Sequence, residues 1–168
     1  MAREAVARFF EVPAAALGPE LNRDGLMNRK PPLFSHETMV RLYHTDAAGI
    51  IFYGRLFELV HEAWEAFCEA FGVDIGRILD TREFLLPIVH VEADYFLPMR
   101  TGTPIRIDLI DARPGNSSVT FEYELRGLRD DALLAKARVV QVAIDGAGRK
   151  IPLPEAIRTI CPGRPTPG

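Results

Sequence analysis

The spacing of apolar residues predicts one long amphipathic helix in the middle of the chain, at residues 56–71. Apolar side chains recur there in steps of three and four, at Leu56, Leu59, Val60, Ala63, Phe67, Ala70 and Phe71. Further apolar side chains widen this stripe, namely Phe57, Trp64 and Cys68. The remaining face carries carboxylates, at Glu58, Glu62, Glu65 and Glu69. We therefore expect the helix to be covered on more than one side and to end at Gly72, a residue typical of helix C-termini.

Apolar and polar residues alternate with a period of two in other segments, which predicts β-strands. One segment precedes the helix, at residues 36–43, and the others follow it, at residues 87–96, 103–112, 117–125 and 133–144. The segments after the helix are joined by short turns rich in Pro, Gly, Asn and Asp, at 98–102, 114–116 and 127–131. Such links favour a meander, in which strands that follow each other pair antiparallel. Shorter helical segments are expected at 73–82 and 152–160.

This order of elements predicts an α+β fold, in which a five-stranded antiparallel sheet wraps around one long central helix. A sheet of this kind leaves unpaired edge strands, and pairing with a second copy would cover them. We therefore expect a dimer at least. The domain would occupy residues 35–160. Residues 1–34 are interrupted by Pro and Gly and are predicted to form an N-terminal arm, and residues 161–168 a tail.

The composition narrows the classes of partner. The chain has 168 residues and a net charge of −3, so it offers no basic excess for nucleic acid. No apolar run approaches the length of a membrane span, and the first residues lack the apolar core of a signal peptide. The two cysteines, Cys68 and Cys161, lack metal-ligand spacing and are expected to be free thiols. The expectation is a soluble cytoplasmic protein without a membrane or nucleic-acid partner.

One carboxylate, Asp46, stands in a tight turn between the first strand and the helix, within YHTDAAGIIFYG at residues 43–54. An aspartate in such a place commonly serves as a turn residue or a helix cap. A second interpretation gives it chemistry, because free N–H groups at a helix start stabilise negative charge. A carboxylate and such donors together could attack a carbonyl and hold the oxyanion that forms. The bulky apolar residues 50–53 between them would line the site.

The segment Asp46-Ala47-Ala48-Gly49-Ile50-Ile51-Phe52-Tyr53, between a strand and a long helix, resembles the motif of hotdog-fold acyl-CoA thioesterases of the 4-hydroxybenzoyl-CoA thioesterase type. The helix sequence His61-Glu62-Ala63-Trp64-Glu65 is similar to that of a branch acting on 1,4-dihydroxy-2-naphthoyl-CoA. Leu86-Pro87-Ile88-Val89, entering the second strand, also fits this type. The resemblance covers residues 36–145. It implies the hotdog fold and hydrolysis of an acyl-CoA to a free acid and CoA.

The resemblance also implies roles for particular residues. Asp46 would be the catalytic carboxylate, as nucleophile or as base toward water, and the backbone N–H of Tyr53 would bind the thioester carbonyl. Further contacts to the substrate are predicted from Gly49, Ile50, Phe52, His61 and His90. The site would lie between subunits of a homodimer or homotetramer, with the CoA thioester as substrate and no cofactor. Members often carry an acidic residue two places before the aspartate, where this chain has His44.

Other hypotheses stay open at this point. A dehydratase acting on acyl thioesters would share the fold, but it needs a histidine paired with an acid at the acyl β-carbon. A non-catalytic acyl-CoA-binding protein would not need a carboxylate beside the carbonyl. A metal site from His44, Asp46 and His61 fits by residue type but not by ligand spacing. Cations that could meet CoA phosphates are Arg100, Arg113, Arg126, Lys136 and Arg138. The acyl group, aromatic by resemblance, could equally be a medium fatty chain, and the thiol could be CoA or a carrier protein.

Overall fold

Five strands form a single antiparallel sheet in the computed structural model, which describes residues 31–162. The strands are β1 (Phe34–Met39), β2 (Ile88–Tyr95), β3 (Pro104–Pro114), β4 (Ser118–Gly127) and β5 (Leu133–Val142). Their order across the sheet is β1-β3-β4-β5-β2. Residues 1–30 of the predicted arm and residues 163–168 of the predicted tail lie outside the described residues.

The predicted central helix is present as α1 (Leu56–Ala70), preceded directly by one turn of 3-10 helix at Tyr53–Arg55. The middle of its apolar stripe is buried, including Leu59, Ala63 and Phe67. Gly72 follows with a φ of +78°, a conformation that glycine adopts without steric cost and that ends the helix as predicted. The shorter helices α2 (Ile75–Thr81) and α3 (Glu155–Ile160) lie within the segments predicted for them.

The sheet wraps around α1 because one face of its central strands is apolar. Leu109 of β3, and Phe121 and Tyr123 of β4, are buried on this face. The ring of Phe67 on α1 packs against Phe121 at a centroid distance of 6.4 Å and against Phe34 of β1 at 5.8 Å. Burying an aromatic or aliphatic side chain of this size contributes about 1.5–3 kcal/mol. The predicted arrangement of five antiparallel strands around one helix is confirmed, and the core fixes the position of the α1 N-terminus.

The first strand is shorter than the prediction of residues 36–43. It begins at Phe34 and ends at Met39, whose partner on β3 is Pro104. Val40 still pairs beyond it, donating to the Thr103 carbonyl at 3.0 Å and accepting from the Gly102 N–H at 2.8 Å. The pairing ends there because the partner segment turns at residues 100–103, where the Thr103 N–H donates to the Arg100 carbonyl at 3.0 Å. The chain then forms a 3-10 turn at Leu42–His44, which the backbone hydrogen bond from His44 N–H to the Arg41 carbonyl closes at 3.0 Å.

The expectation of a meander from β2 to β5 is wrong at its first step. Strand β2 pairs with β5, not with β3, because β1 occupies the free edge of β3. The link at residues 96–103 therefore crosses the end of the sheet instead of forming a hairpin. The Leu97 N–H donates to the Leu134 carbonyl at 3.2 Å, and the buried Met99 accepts from the Ile51 N–H at 2.8 Å.

A buried carboxylate joins β1 to β3 on the face of the sheet opposite α1. Asp108 is completely buried and accepts hydrogen bonds from Arg106 Nε at 2.8 Å and from Ser35 Oγ at 2.6 Å. Arg106 also bonds Asp131 in the turn between β4 and β5. These carboxylates raise the pKa of Arg106, the hydrogen bonds to Asp108 being the largest cause. A buried charge of this kind is stabilising only while its partner is present.

The two thiols are free and buried, as expected from the sequence. Burial raises the pKa of Cys68 to about 12 and the pKa of Cys161 to about 11. Since the thiolate is the reactive form, neither side chain is a nucleophile at neutral pH in the folded protein. Among residues 31–162, no helix is long and apolar enough to cross a membrane.

Candidate active site

Asp46 organises a small hairpin between β1 and α1. Its backbone N–H donates to the Ile50 carbonyl at 2.9 Å, and its own carbonyl accepts from the Gly49 N–H at 2.9 Å. Its side chain accepts from the Ala48 N–H at 2.8 Å, which is an Asx turn. Gly49 has a φ of +73°, which the turn requires. The aspartate is thus a turn residue and does not cap the helix.

The same turn recurs elsewhere in the chain, at Asp145. There the Ala147 N–H donates to the carboxylate at 2.9 Å, the Gly148 N–H to the Asp145 carbonyl at 2.9 Å, and Gly148 has a φ of +79°. Hydrogen bonds from Arg149, chiefly from its backbone N–H, lower the pKa of Asp145. No cationic side chain among residues 31–162 lies within ion-pair distance of the Asp46 carboxylate. Turn formation therefore explains the backbone at both places, but only Asp145 is neutralised.

The helix start beyond this hairpin presents unused donors. The Ile51 N–H donates to Met99 at 2.8 Å and the Phe52 N–H to the His44 carbonyl at 2.9 Å, so both are occupied. In the part of the chain that the structure describes, no backbone carbonyl accepts from the N–H of Tyr53 or Gly54. The hydroxyl of Tyr95, at the end of β2, donates to the Tyr53 carbonyl and fixes that peptide unit. The arrangement suits the binding of a negative oxygen.

His44, which stands where the resembling family often has an acid, is buried and has a structural role. Its Nδ1 accepts a hydrogen bond from the Arg41 N–H at 3.0 Å and so holds the 3-10 turn. Burial lowers the pKa of His44 below its ordinary value of 6.5. The ring is therefore neutral at pH 7 and cannot stabilise Asp46 by charge. The ring is buried and does not point into solvent.

The remaining predicted site residues of the hairpin lie on the surface of the single chain. Tyr53 is 70% exposed and Phe52 is 41% exposed, while Ile50 is half-buried. Asp46 and Gly49 are exposed as well. The structure therefore brings the hairpin residues and the helix start together, but one chain alone does not enclose them.

The two other predicted substrate-binding residues lie apart from this hairpin. His61 is two turns along α1 from Tyr53, where its ring stacks on Trp64 at a centroid distance of 5.2 Å and its Nε2 meets Glu65 at 3.3 Å. His90 pairs with Glu92 at 3.3 Å on the face of the sheet opposite α1. A register shift between Ile88 and His90 breaks the simple alternation of β2, so that Ile88 joins Val91 on the face toward α1.

The structure also bears on the metal site and on the cations suggested for the CoA phosphates. Within residues 31–162 no group of three His, Cys, Asp or Glu side chains could hold a metal ion. Three of the cations considered for CoA phosphates are in ion pairs, namely Arg113 with Glu122, Arg126 with Glu124 and Arg138 with Glu92. These pairs hold the outer face of the sheet together.

Sequence reasoning missed three residues around the site. The sequence hypothesis gives no role to Tyr95, whose hydroxyl reaches the helix start. Trp64 was predicted only as part of the apolar stripe of the helix, and no role was predicted for Gln141. A signal for Gln141 was available, because it interrupts an inward register otherwise made of Ala135, Ala137, Val139 and Ala143. A polar residue in such a register requires a partner.

A carboxylate hairpin leading into a central helix, within a five-stranded antiparallel wrap, defines a hotdog-fold protein of the thioesterase class. The chain belongs to the Thioesterase-like superfamily, whose family model matches residues 40–160. The resemblance found in the sequence and the predicted class of enzyme, a thioester hydrolase, are thereby confirmed.

The names of individual relatives specify a substrate, which the family description does not. A 1,4-dihydroxy-2-naphthoyl-CoA hydrolase from Rippkaea orientalis is 36% identical over 121 residues, covering 70% of this chain and 87% of the relative. An enzyme of the same name from Prochlorococcus marinus is 36% identical over 129 residues, covering 72% and 82%. The crystal structure of a 1,4-dihydroxy-2-naphthoyl-CoA thioesterase from Synechocystis superposes with a TM-score of 0.71 at 28% identity, covering 76% of this chain and 93% of that one.

Proposed function

We propose that this protein hydrolyses an aromatic acyl-CoA, of the 1,4-dihydroxy-2-naphthoyl-CoA type, to the free acid and CoA. The names of relatives at 36% identity support the substrate class. The mechanism is supported by two neighbouring features of the chain. The N–H groups of Tyr53 and Gly54 are unused at the helix start, and the hairpin that leads into it carries Asp46, which lacks a cationic partner among the described residues. These are the two parts that thioester hydrolysis needs.

Asp46 acts in one of two ways, as the nucleophile or as the base. It attacks the acyl carbon, CoA leaves as the thiolate, and water then hydrolyses the mixed anhydride to release the acid. Alternatively it removes a proton from a water molecule that attacks the same carbon. A thiol has a pKa near 8.5, so a thiolate leaves without the proton that an amine would need. A site without a general acid is therefore sufficient in both cases.

The backbone N–H of Tyr53 binds the thioester oxygen as it becomes an oxyanion, with the Gly54 N–H as a second donor nearby. One donor placed for the transition state contributes roughly 3–4 kcal/mol, or a factor of 10² to 10³ in rate. The positive end of the α1 dipole adds to this stabilisation. Since the donors are backbone groups, their position depends on the helix start and not on the identity of the side chain at position 53.

A second copy of the chain completes the site in this proposal. Strand β2 is at the edge of the sheet, and its apolar side chains are exposed, with Val89 at 59%. It ends at Tyr95, which bonds the helix start. Pairing of two copies along β2 would cover this edge and enclose the Asp46 hairpin. The order of assembly, dimer or tetramer, is left to measurement.

Replacement of Val89 by aspartate is expected to shift the protein to a monomer with little activity, because the charge would be buried at the edge pairing. Size-exclusion chromatography with light scattering gives the mass of the assembly. Leu128→Asp is the matched control, since Leu128 is an exposed apolar residue in the turn after β4. A V89D variant that keeps both the wild-type mass and the wild-type activity would contradict the assembly along β2.

Hydrolysis of a panel of acyl-CoAs tests the function itself. Aromatic thioesters (1,4-dihydroxy-2-naphthoyl-CoA, benzoyl-CoA) are compared with aliphatic ones (hexanoyl-CoA, decanoyl-CoA) by release of free CoA to a thiol reagent. The buried Cys68 and Cys161 contribute little background in the folded protein. The highest kcat/KM is expected for the dihydroxynaphthoyl thioester. Tight binding of every thioester without release of CoA would indicate a non-catalytic binding protein instead.

A further inference from the structure

An apolar cleft runs along α1 beneath the edge strand β2, away from the helix start. Its narrow part, about 20 Å³, is lined by Phe57, Val60 and Val91 among others. A wider part, about 200 Å³, continues beneath α2 beside Ile78 and Phe84. Three residues line both parts, namely His61, Trp64 and Gln141. Strand β2 bounds the narrow part through Ile88 and Val91.

Two polar atoms in the wall of this cleft are buried without a hydrogen-bond partner among the described residues. They are Nε1 of Trp64, a donor, and Oε1 of Gln141, an acceptor. Gln141 is only 2% exposed. Buried polar groups in folded proteins are nearly always hydrogen-bonded, and leaving one without a partner is costly. An unpaired donor and an unpaired acceptor on the same cleft therefore point to a ligand that supplies the missing partners.

The position of this pair relative to the helix start sets the size of the ligand. Tyr53 and Trp64 are eleven residues apart, or about 16 Å along the helix axis. Helical side chains lean toward the N-terminus, so the indole covers roughly the preceding turn and leaves about 10 Å. Strand β2 follows the same path, from Tyr95 at the Tyr53 carbonyl to Ile88 at the cleft wall. An acyl ring that carries a hydroxyl across from the thioester, with a hydrogen bond at each end, has about this length.

We propose that Trp64 and Gln141 together bind a phenolic hydroxyl group on the acyl part of the substrate. A hydroxyl accepts from the indole N–H and donates to the amide oxygen, so it satisfies both atoms at once. A ring carbonyl could satisfy only Trp64, and an unsubstituted ring or an alkyl chain neither. His61 covers the indole face and bonds Glu65, so it shapes the cleft and does not bind the hydroxyl. This inference rests on the thioesterase function proposed above and specifies its substrate.

Matched pairs of substrates test the proposal. For wild-type protein, kcat/KM is expected to be roughly 10- to 100-fold higher for 1,4-dihydroxy-2-naphthoyl-CoA than for 2-naphthoyl-CoA, the range that one or two buried hydrogen bonds give. Gln141→Leu and Trp64→Phe should each reduce this ratio toward one. The double variant should lose little more than either single one, because both residues bind the same hydroxyl. Additive losses, or an unchanged ratio in Q141L, would overturn the proposal.

Two further measurements separate the possible failures. Q141L removes an acceptor without a partner, so its melting temperature in the absence of ligand should equal or exceed that of the wild type. A lower melting temperature together with an unchanged substrate ratio would show a structural role. Trp64 is the only tryptophan in the chain, so its fluorescence reports occupancy of the cleft without turnover. Tighter quenching by 1,4-dihydroxy-2-naphthoate than by 2-naphthoate supports the hydroxyl site even if no thioester is hydrolysed, and equal quenching refutes it even if hydrolysis is observed.

Discussion

Asp46→Asn is expected to lower kcat by roughly 10²- to 10⁴-fold, the range for removing a positioned base or nucleophile. The asparagine side chain keeps the oxygen that accepts from the Ala48 N–H at 2.8 Å, so the Asx turn and the hairpin persist. KM should change little, because the acyl group and CoA bind elsewhere. The corresponding increase in the activation free energy is about 3–5 kcal/mol. Steady-state kinetics with 1,4-dihydroxy-2-naphthoyl-CoA, and circular dichroism for the fold, give both results.

Asp145→Asn is the matched control for that experiment. It makes the same exchange in the same type of turn, with an Asx bond of 2.9 Å and a following glycine of positive φ. Its activity should equal that of the wild type, while its stability falls slightly because the ion pair with Arg149 is lost. If D46N retained near-native turnover, the chemical role of Asp46 would be excluded, and the carboxylate would be a turn residue at both positions.

Arg106→Met is expected to destabilise the folded protein by about 3–5 kcal/mol, the range for removing one member of a buried ion pair. Asp108 is completely buried, and two of its hydrogen bonds come from Arg106, at 2.8 and 3.1 Å. For a domain of this size the melting temperature should fall by roughly 10 °C. Urea unfolding followed by circular dichroism measures the change in the free energy of unfolding.

A second arginine on the same strand provides the control. Arg113 bonds Asp111 at 2.9 Å and also Glu122, but those carboxylates are partly exposed. Arg113→Met should therefore cost only about 1 kcal/mol or less. Adding Asp108→Asn to R106M should recover part of the loss, since the buried charge disappears. Equal destabilisation by R106M and R113M would show that the burial of Asp108 does not increase the free-energy cost of losing its arginine.

Local patterns were enough to predict the parts of the fold whose causes are local. The period of α1 and its termination at Gly72 depend on neighbours a few residues away, and so does the turn at Asp46. The end of β1 depends on the turn that its partner segment makes at residues 100–103, and the place of β2 depends on β1 already occupying β3. Such long-range pairings are not encoded in the alternation of a single strand, so these two features were mispredicted.

The features of the candidate site also divide into those set by local sequence and those set by long-range pairing. The Asp46 hairpin and the Tyr53 N–H could be predicted because they are contiguous in sequence with the helix start. The placement of His90 could not, because the register shift beside Ile88 is visible only in the pairing with β5. That Trp64 and Gln141 line one cleft also could not be predicted, because it depends on α1 and β5 meeting in space. The glutamine alone could have been noticed as a polar residue among inward-facing apolar positions.

The hydrogen bond from Tyr95 to the Tyr53 carbonyl has an electronic consequence for the helix start. That carbonyl belongs to the same peptide unit as the Gly54 N–H. Drawing electron density toward the carbonyl oxygen polarises the amide and makes its N–H a better donor, as in any chain of hydrogen bonds. In the mechanism proposed above, the phenol of Tyr95 on the outermost strand would thus strengthen the Gly54 N–H as a donor to the oxyanion.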